Sequence, residues 1–185
     1  MFRPTTLLAM AALSTSLAAE DFGPVVKAAT LIYQGKTHFG VICNYGRSQD
    51  QVADLQRALP DGSTLTVVDV HHPMQVNAAS ATIVHRGVQL LALMPNDPLI
   101  RDGSPFATAL VHRFNGSIPA FGTSPAALEN GCALALGRAT NWELMINPKL
   151  LDPALKGTIG PIEITSSPRG TMRGPATLDL VFQYR

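Results

Sequence analysis

The stretch Val88-Gln89-Leu90-Leu91-Ala92-Leu93-Met94, closed by Pro95-Asn96-Asp97-Pro98, decides the fold. It is apolar but for Gln89 and too short for an ordinary helix, so it reads as a strand covered on both faces. A strand of that kind belongs in the middle of a sheet layered between helices.

Working outward, the pattern alternates. His38–Asn44 is a short apolar run ending in turn formers and reads as a strand. Ser48 opens a helix over Ser48–Leu59, where Val52, Leu55 and Leu59 recur at helical spacing and Gln51 stands three residues after an expected Ser48 N-cap. Asp61-Gly62 closes that unit. Leu65–Val70 is a second strand and Met74–Val84 a second helix; Val88–Met94 is the third strand, followed by a helix over Ser104–Phe114. Ile118–Phe121 is a fourth strand, Ser124 and Pro125 begin a short helix, and Cys132–Leu136 is a fifth strand. Strict alternation at this spacing implies right-handed βαβ units and a mostly parallel sheet between two helical layers. Beyond Gly137, Trp142–Ile146 and Ile159–Ile164 read as strands and Pro148–Leu155 as a helical segment. Ser166–Pro175 reads as a loop and Thr177–Tyr184 as an edge strand.

The chain has 185 residues, 46% of them hydrophobic and 15% charged, with a net charge of +1. One domain accommodates that length, and the absence of a basic excess argues against a nucleic-acid partner. At the N-terminus, Arg3 precedes the apolar run Leu7–Leu13, and Ser16-Leu17-Ala18-Ala19 offers small residues for cleavage. That run is well short of the roughly 20 residues that cross a bilayer. Residues 1–19 are therefore expected to be an export signal, leaving 20–185 as one α/β domain with a core over 38–137 and an extension over 138–185. The expected location is the periplasm.

In an open parallel sheet, ligands bind beyond the carboxyl ends of the strands. The candidates on that rim are Asn44, Tyr45 and Ser48 after the first strand and His71 with His72 after the second. Asn96 and Asp97 follow the third strand, and Gly122, Thr123 and Ser124 the fourth. Backbone amides near Ser48 and Ser124 suit a carboxylate, and Asp97 suits an amino group. These residue types are also what turns are made of. No nucleophile elbow, phosphate loop, dinucleotide fingerprint or zinc pair occurs, so no catalytic residue, cofactor or metal is expected. His71 and His72, weighed as metal ligands with His85 or Asp69, point in opposite directions on an extended chain. The two cysteines, Cys43 and Cys132, fall at opposite ends of a sheet with strands between them, too far apart to bridge, and are expected to be buried free thiols.

The runs His38–Gly46, Gln51–Leu55, Val88–Asp97, Ile118–Gly122 and Asn130–Gly137 resemble the second lobe of ABC-transporter substrate-binding proteins of the tryptophan/tyrosine-binding type. Leu155-Lys156-Gly157 through Ile162-Glu163-Ile164 continues the similarity. The resemblance implies a flavodoxin-like, periplasmic-binding-protein type I lobe. It also implies ligand contacts at Asn44, Tyr45, Asn96, Asp97 and Gly122–Ser124. Family members close two lobes on the ligand and this chain has length for one, so either a second copy or another partner completes the site or ligand binding has been lost. Val25–Tyr33, with Trp142–Asn147 and Leu150-Leu151, is similar to the short periplasmic YfiR-like regulators, which act by binding a membrane protein.

Three classes of function follow. The first is a periplasmic transport-related module binding a small, amino-acid-like organic solute at the rim. The second is a regulator that docks on an inner-membrane protein, and the third an enzyme using Asp97 with His71 or His72.

Overall fold

The computed structural model describes residues 22–114, 116–138, 142–147 and 176–182. Helix α1 (Gly23–Ile32) precedes β1 (His38–Cys43), α2 (Tyr45–Ala58) and β2 (Thr64–Asp69). A 3-10 turn over Pro73–Gln75 leads into α3 (Val76–His85), then β3 (Leu90–Ala92), α4 (Pro105–Phe114), β4 (Ala120–Phe121) and α5 (Ala126–Glu129). Strands β5 (Leu134–Arg138), β6 (Trp142–Ile146) and β7 (Thr177–Phe182) complete a seven-stranded sheet ordered β6-β5-β4-β3-β1-β2-β7. All neighbours are parallel except β5 and β6. This is the expected α/β architecture, a flavodoxin-like three-layer sandwich.

Period-two alternation sends each strand's side chains to two separate cores. Phe39, Val41 and Cys43 of β1, Leu65 and Val67 of β2, and Leu90 and Ala92 of β3 face α1 and α2. There the rings of Phe39 and Phe121 meet edge to face, centroids 6.3 Å apart. Ile42, Val68 and Leu91 face the opposite way, onto α3, α4 and Ala127 of α5. Gly40 lies on that second face, where a Cβ would come within 2.7 Å of Val88 Cγ1 and 2.9 Å of Ile83 Cδ1, so the missing side chain is what lets α3 sit down on β1. Central strands are apolar on both faces because both are covered.

The sequence did not announce α1. Phe22, Val25, Val26, Ala29 and Ile32 recur at helical spacing and are all buried, with Pro24 in the first turn where its missing N–H costs nothing. The helix packs on β5 and β6 and fills the half of its face that α2 leaves open. Of the stretch beyond 137, the described strands β6 and β7 stand at the two ends of the strand order. The expected leader over 1–19, the helical segment Pro148–Leu155, the strand Ile159–Ile164, the loop Ser166–Pro175 and the end of the last strand at Tyr184 lie outside the described residues. Among the described residues no helix is long and apolar enough to cross a membrane.

Candidate functional site

Strand β1 has β2 and β3 as neighbours, reached by α2 on one face and α3 on the other, so the crevice beyond the carboxyl ends of β1 and β3 is the topological switch point. Asn44, Tyr45, Ser48, Asn96 and Asp97 converge there.

Helix α2 starts three residues before the expected N-cap. Asn44 has extended dihedrals and precedes the helix, while Ser48 sits inside it at a kink, φ −116° and ψ 15°. The Ser48 hydroxyl caps nothing; it donates to Asp97 Oδ2 at 2.8 Å. Two buried carboxylates do the capping instead. Asn44 N–H donates to Asp97 Oδ2 at 2.8 Å and Tyr45 N–H to Asp69 Oδ1 at 2.9 Å. Orphan amides and the positive end of the helix dipole thereby meet negative charge from two other segments. Gln51, expected to serve as the partner of the N-cap, turns away and accepts the Asn96 N–H at 3.2 Å.

Asp97 is fully buried. Its other oxygen accepts Leu99 N–H at 2.9 Å and Ile100 N–H at 2.7 Å, closing the turn after Pro95-Asn96. A carboxylate offers about four lone-pair positions. All are occupied by this chain's own donors, so a solute's ammonium group at Asp97 would have to displace one of them.

His71 leans back onto Asp69, with Nε2 3.0 Å from Oδ2. His72 points elsewhere and caps the 3-10 turn together with Gln75, whose side-chain oxygen also accepts both histidine N–H groups. The divergence of the two rings follows from their adjacency in an extended segment. Asp69 thus serves the rim from two sides, toward Tyr45 and toward His71. Its signal in the sequence was its place as the lone charge at the end of the apolar run Leu65–Val70.

Gly122, Thr123 and Ser124 form a second cluster, organised by Asp102. Ser124 Oγ donates to Asp102 Oδ2 at 2.8 Å. A Cβ on Gly122 would lie 2.4 Å from Ala127 Cβ, so glycine is required for α5 to close on β4. Behind this cluster Asn130 accepts Gly103 N–H and donates to Ser104 O and Thr108 Oγ1, tying α5 to the start of α4. Sequence reasoning passed over Asp102 and Asn130; the Asp102-Gly103 turn dipeptide was the available clue.

The hydroxyls of Ser48 and Ser124 both donate to carboxylates, those of Asp97 and Asp102. Among the described residues no group of three or more His, Cys, Asp or Glu side chains is placed to hold a metal ion. Cys43 and Cys132 are free and buried, and they belong to opposite cores, which separates them more completely than strand order alone. Burial, and then the charges of Asp97 and Asp69, push the Cys43 thiol well above its usual range. Burial and then Asp102 do the same to Cys132. Both are therefore protonated and poor nucleophiles at neutral pH. No family model matches the chain, and no curated protein shows significant similarity to it.

Proposed function

We propose that this chain is an exported, single-lobe regulatory module that acts by docking on a membrane-protein partner, as its similarity to the YfiR-like regulators implies. The observation that carries the reading is the saturation of the rim. Asp97 and Asp69, the groups best suited to a polar solute, are buried and spent on the chain's own helix. Two of the three segments on which the similarity rests also support it: Val25–Tyr33 and Trp142–Asn147 supply α1 and β6, and these pack together.

The test is affinity capture from a membrane extract of the source cells, followed by reconstitution with the purified candidate. The expected result is a defined complex between this chain and one integral membrane protein, with a change in that protein's activity. Failure of any membrane protein to reconstitute overturns the reading.

A solute-binding lobe is the second reading, favoured by the meeting of Asn44, Tyr45, Asn96 and Asp97 at the switch point, where open α/β sheets place ligands. A second copy or partner would then supply the other wall of the cleft. Ligand binding stabilises the folded state by mass action. A melting-temperature screen against amino acids separates the two readings: a saturable rise with one of them favours the solute lobe, and a flat response favours the regulator.

A further inference from the structure

A cleft of about 400 Å³ lies between the C-terminal halves of α3 and α4, lined by none of the rim residues. Both helices run back against the parallel strands, so their C-terminal halves lie toward the amino ends of β3 and β4, the opposite end of the sheet from Asp97. Ala81 and Val84 of α3 and Phe114 of α4 supply apolar wall. Val84 is 60% exposed, although Ile83 beside it is fully buried. A volume of this size falls within the range of small-molecule sites, which combine apolar walls with a few convergent polar groups.

The polar groups are unequal. The hydroxyls of Ser80 and Ser117 give their protons to backbone oxygens, Val76 O at 2.7 Å and Phe114 O at 2.6 Å. Charge recognition therefore falls to Arg113, with His85 beside it. Arg113 Nη1 donates to Asn77 Oδ1 at 2.7 Å, a bond that fixes the guanidinium across the gap between the helices and uses one of its five N–H donors. Its partner is a neutral amide. Arg57 and Arg86, by contrast, each pair with an aspartate. None of the described residues lining the cleft is acidic.

We propose that this cleft binds a small amphiphilic monoanion, a carboxylate with an apolar body of medium chain length. The apolar part lies along the exposed Ala81 and Val84, over the edge of the largely buried Phe114, and the carboxylate meets the guanidinium of Arg113, whose planar fork matches it in two-point geometry. The site is separate from the rim and does not depend on whether the chain docks on a protein.

The test is a ¹⁵N-resolved NMR titration of the full chain with decanoate and, as the uncharged counterpart, decan-1-ol. The expected result is a saturable set of shifts confined to residues 80–85 and 113–117, with decanol at least about tenfold weaker, as loss of a charge-assisted pair implies. Arg113→Gln is expected to weaken decanoate about tenfold and leave decanol unchanged. Arg113→Lys, which keeps the charge and loses the fork, falls between. Val84→Glu, at an exposed position that leaves folding intact, abolishes binding of both. Equal affinity for decanoate and decanol, shifts centred on the exposed Leu178 and Phe182 of β7, or no saturation overturns the proposal.

Discussion

At the carboxyl end of the sheet Asp97 is fully buried and accepts four hydrogen bonds, three of them from backbone amides of two different loops. At the amino end Asp179 of β7 keeps 32% of its side chain exposed and accepts from side chains, Thr66 Oγ1 at 3.2 Å and Arg86 Nη1 at 3.1 Å. Thr66 has one proton and gives it to Asp179, so His38 Nε2, 2.8 Å from the same hydroxyl, is the donor in that contact. The ladder His38–Thr66–Asp179 crosses β1, β2 and β7 and ends on Arg86. One end of the sheet is therefore locked through the main chain and the other through side chains, of which Asp179 and Arg86 are in contact with water. Removing an acceptor costs most where the donors it leaves behind are buried.

The sharpest probe of that contrast is Cys43, which lies beneath the locked end. Its reaction with an aromatic disulfide reagent is expected to be on the order of a thousandfold slower than that of an exposed thiol, because reaction requires the rim to open. Rapid labelling of the native protein would show the rim to be loose. Denaturation is expected to release both thiols, Cys43 and Cys132.

Replacing Asp97 by Ala strands the amides of Asn44, Leu99 and Ile100 and the Ser48 hydroxyl, and is expected to cost about 3–4 kcal/mol in urea denaturation. It should also accelerate Cys43 labelling. Asp97→Asn presents an amide NH₂ to some of these donors and is expected to recover only part of the loss. If Asp97→Ala cost less than Asp179→Ala, the comparison would be the wrong way round.

For Asp179→Ala the expected loss is about 1 kcal/mol, as for other water-exposed ion pairs, and it should shrink in 1 M salt, where the Debye length is roughly 3 Å. The Asp97→Ala effect should not respond to salt.

The smallest effect is the pH response of His38. Burial lowers its pKa below the ordinary histidine value, Asp179 pulls it back up, and Arg86 adds to the lowering. The unfolded chain then binds the proton more readily than the folded one. Stability is fully present above about pH 6.5 and declines as pH falls from there toward the lower folded pKa. Melting temperatures between pH 7.5 and 5 for the wild type and His38→Gln check this. The expected outcome is a shallower acid decline in the variant, and a steeper one would reverse the sign assigned to burial.

Much of the sheet was legible because its strands sit between covered faces and carry continuous apolar runs. Val88–Met94 marked β3; its ladder covers Leu90–Ala92, and Gln89 N–H and Leu93 N–H extend it by donating to His38 O and Phe121 O. The periodicity of Val52, Leu55 and Leu59 marked α2, and its start was misplaced at Ser48 because the real caps, Asp69 at the end of β2 and Asp97 after β3, lie far off in the chain. Helix α1 was missed although its period is clean, because its apolar residues follow closely on the apolar run Leu7–Leu13 and its N-cap, Phe22, is not a capping residue type. The rim residues were found from topology, but their donors and acceptors could not be paired from sequence, since hydrogen bonds such as Asn44 to Asp97 join positions far apart in the chain.

By itself the sequence determined the layer architecture, the position of the rim and the apolar faces of each element, because these depend on local periodicity and on the handedness of βαβ connections. Only the tertiary structure decided that Asp97 and Asp69 serve the protein's own helix, that α1 closes one face of the sheet, and that a cleft with Arg113 across it opens between α3 and α4. Each of those depends on groups distant in sequence arriving within a few ångströms of one another, and a buried carboxylate turns toward whichever donors the fold brings to it.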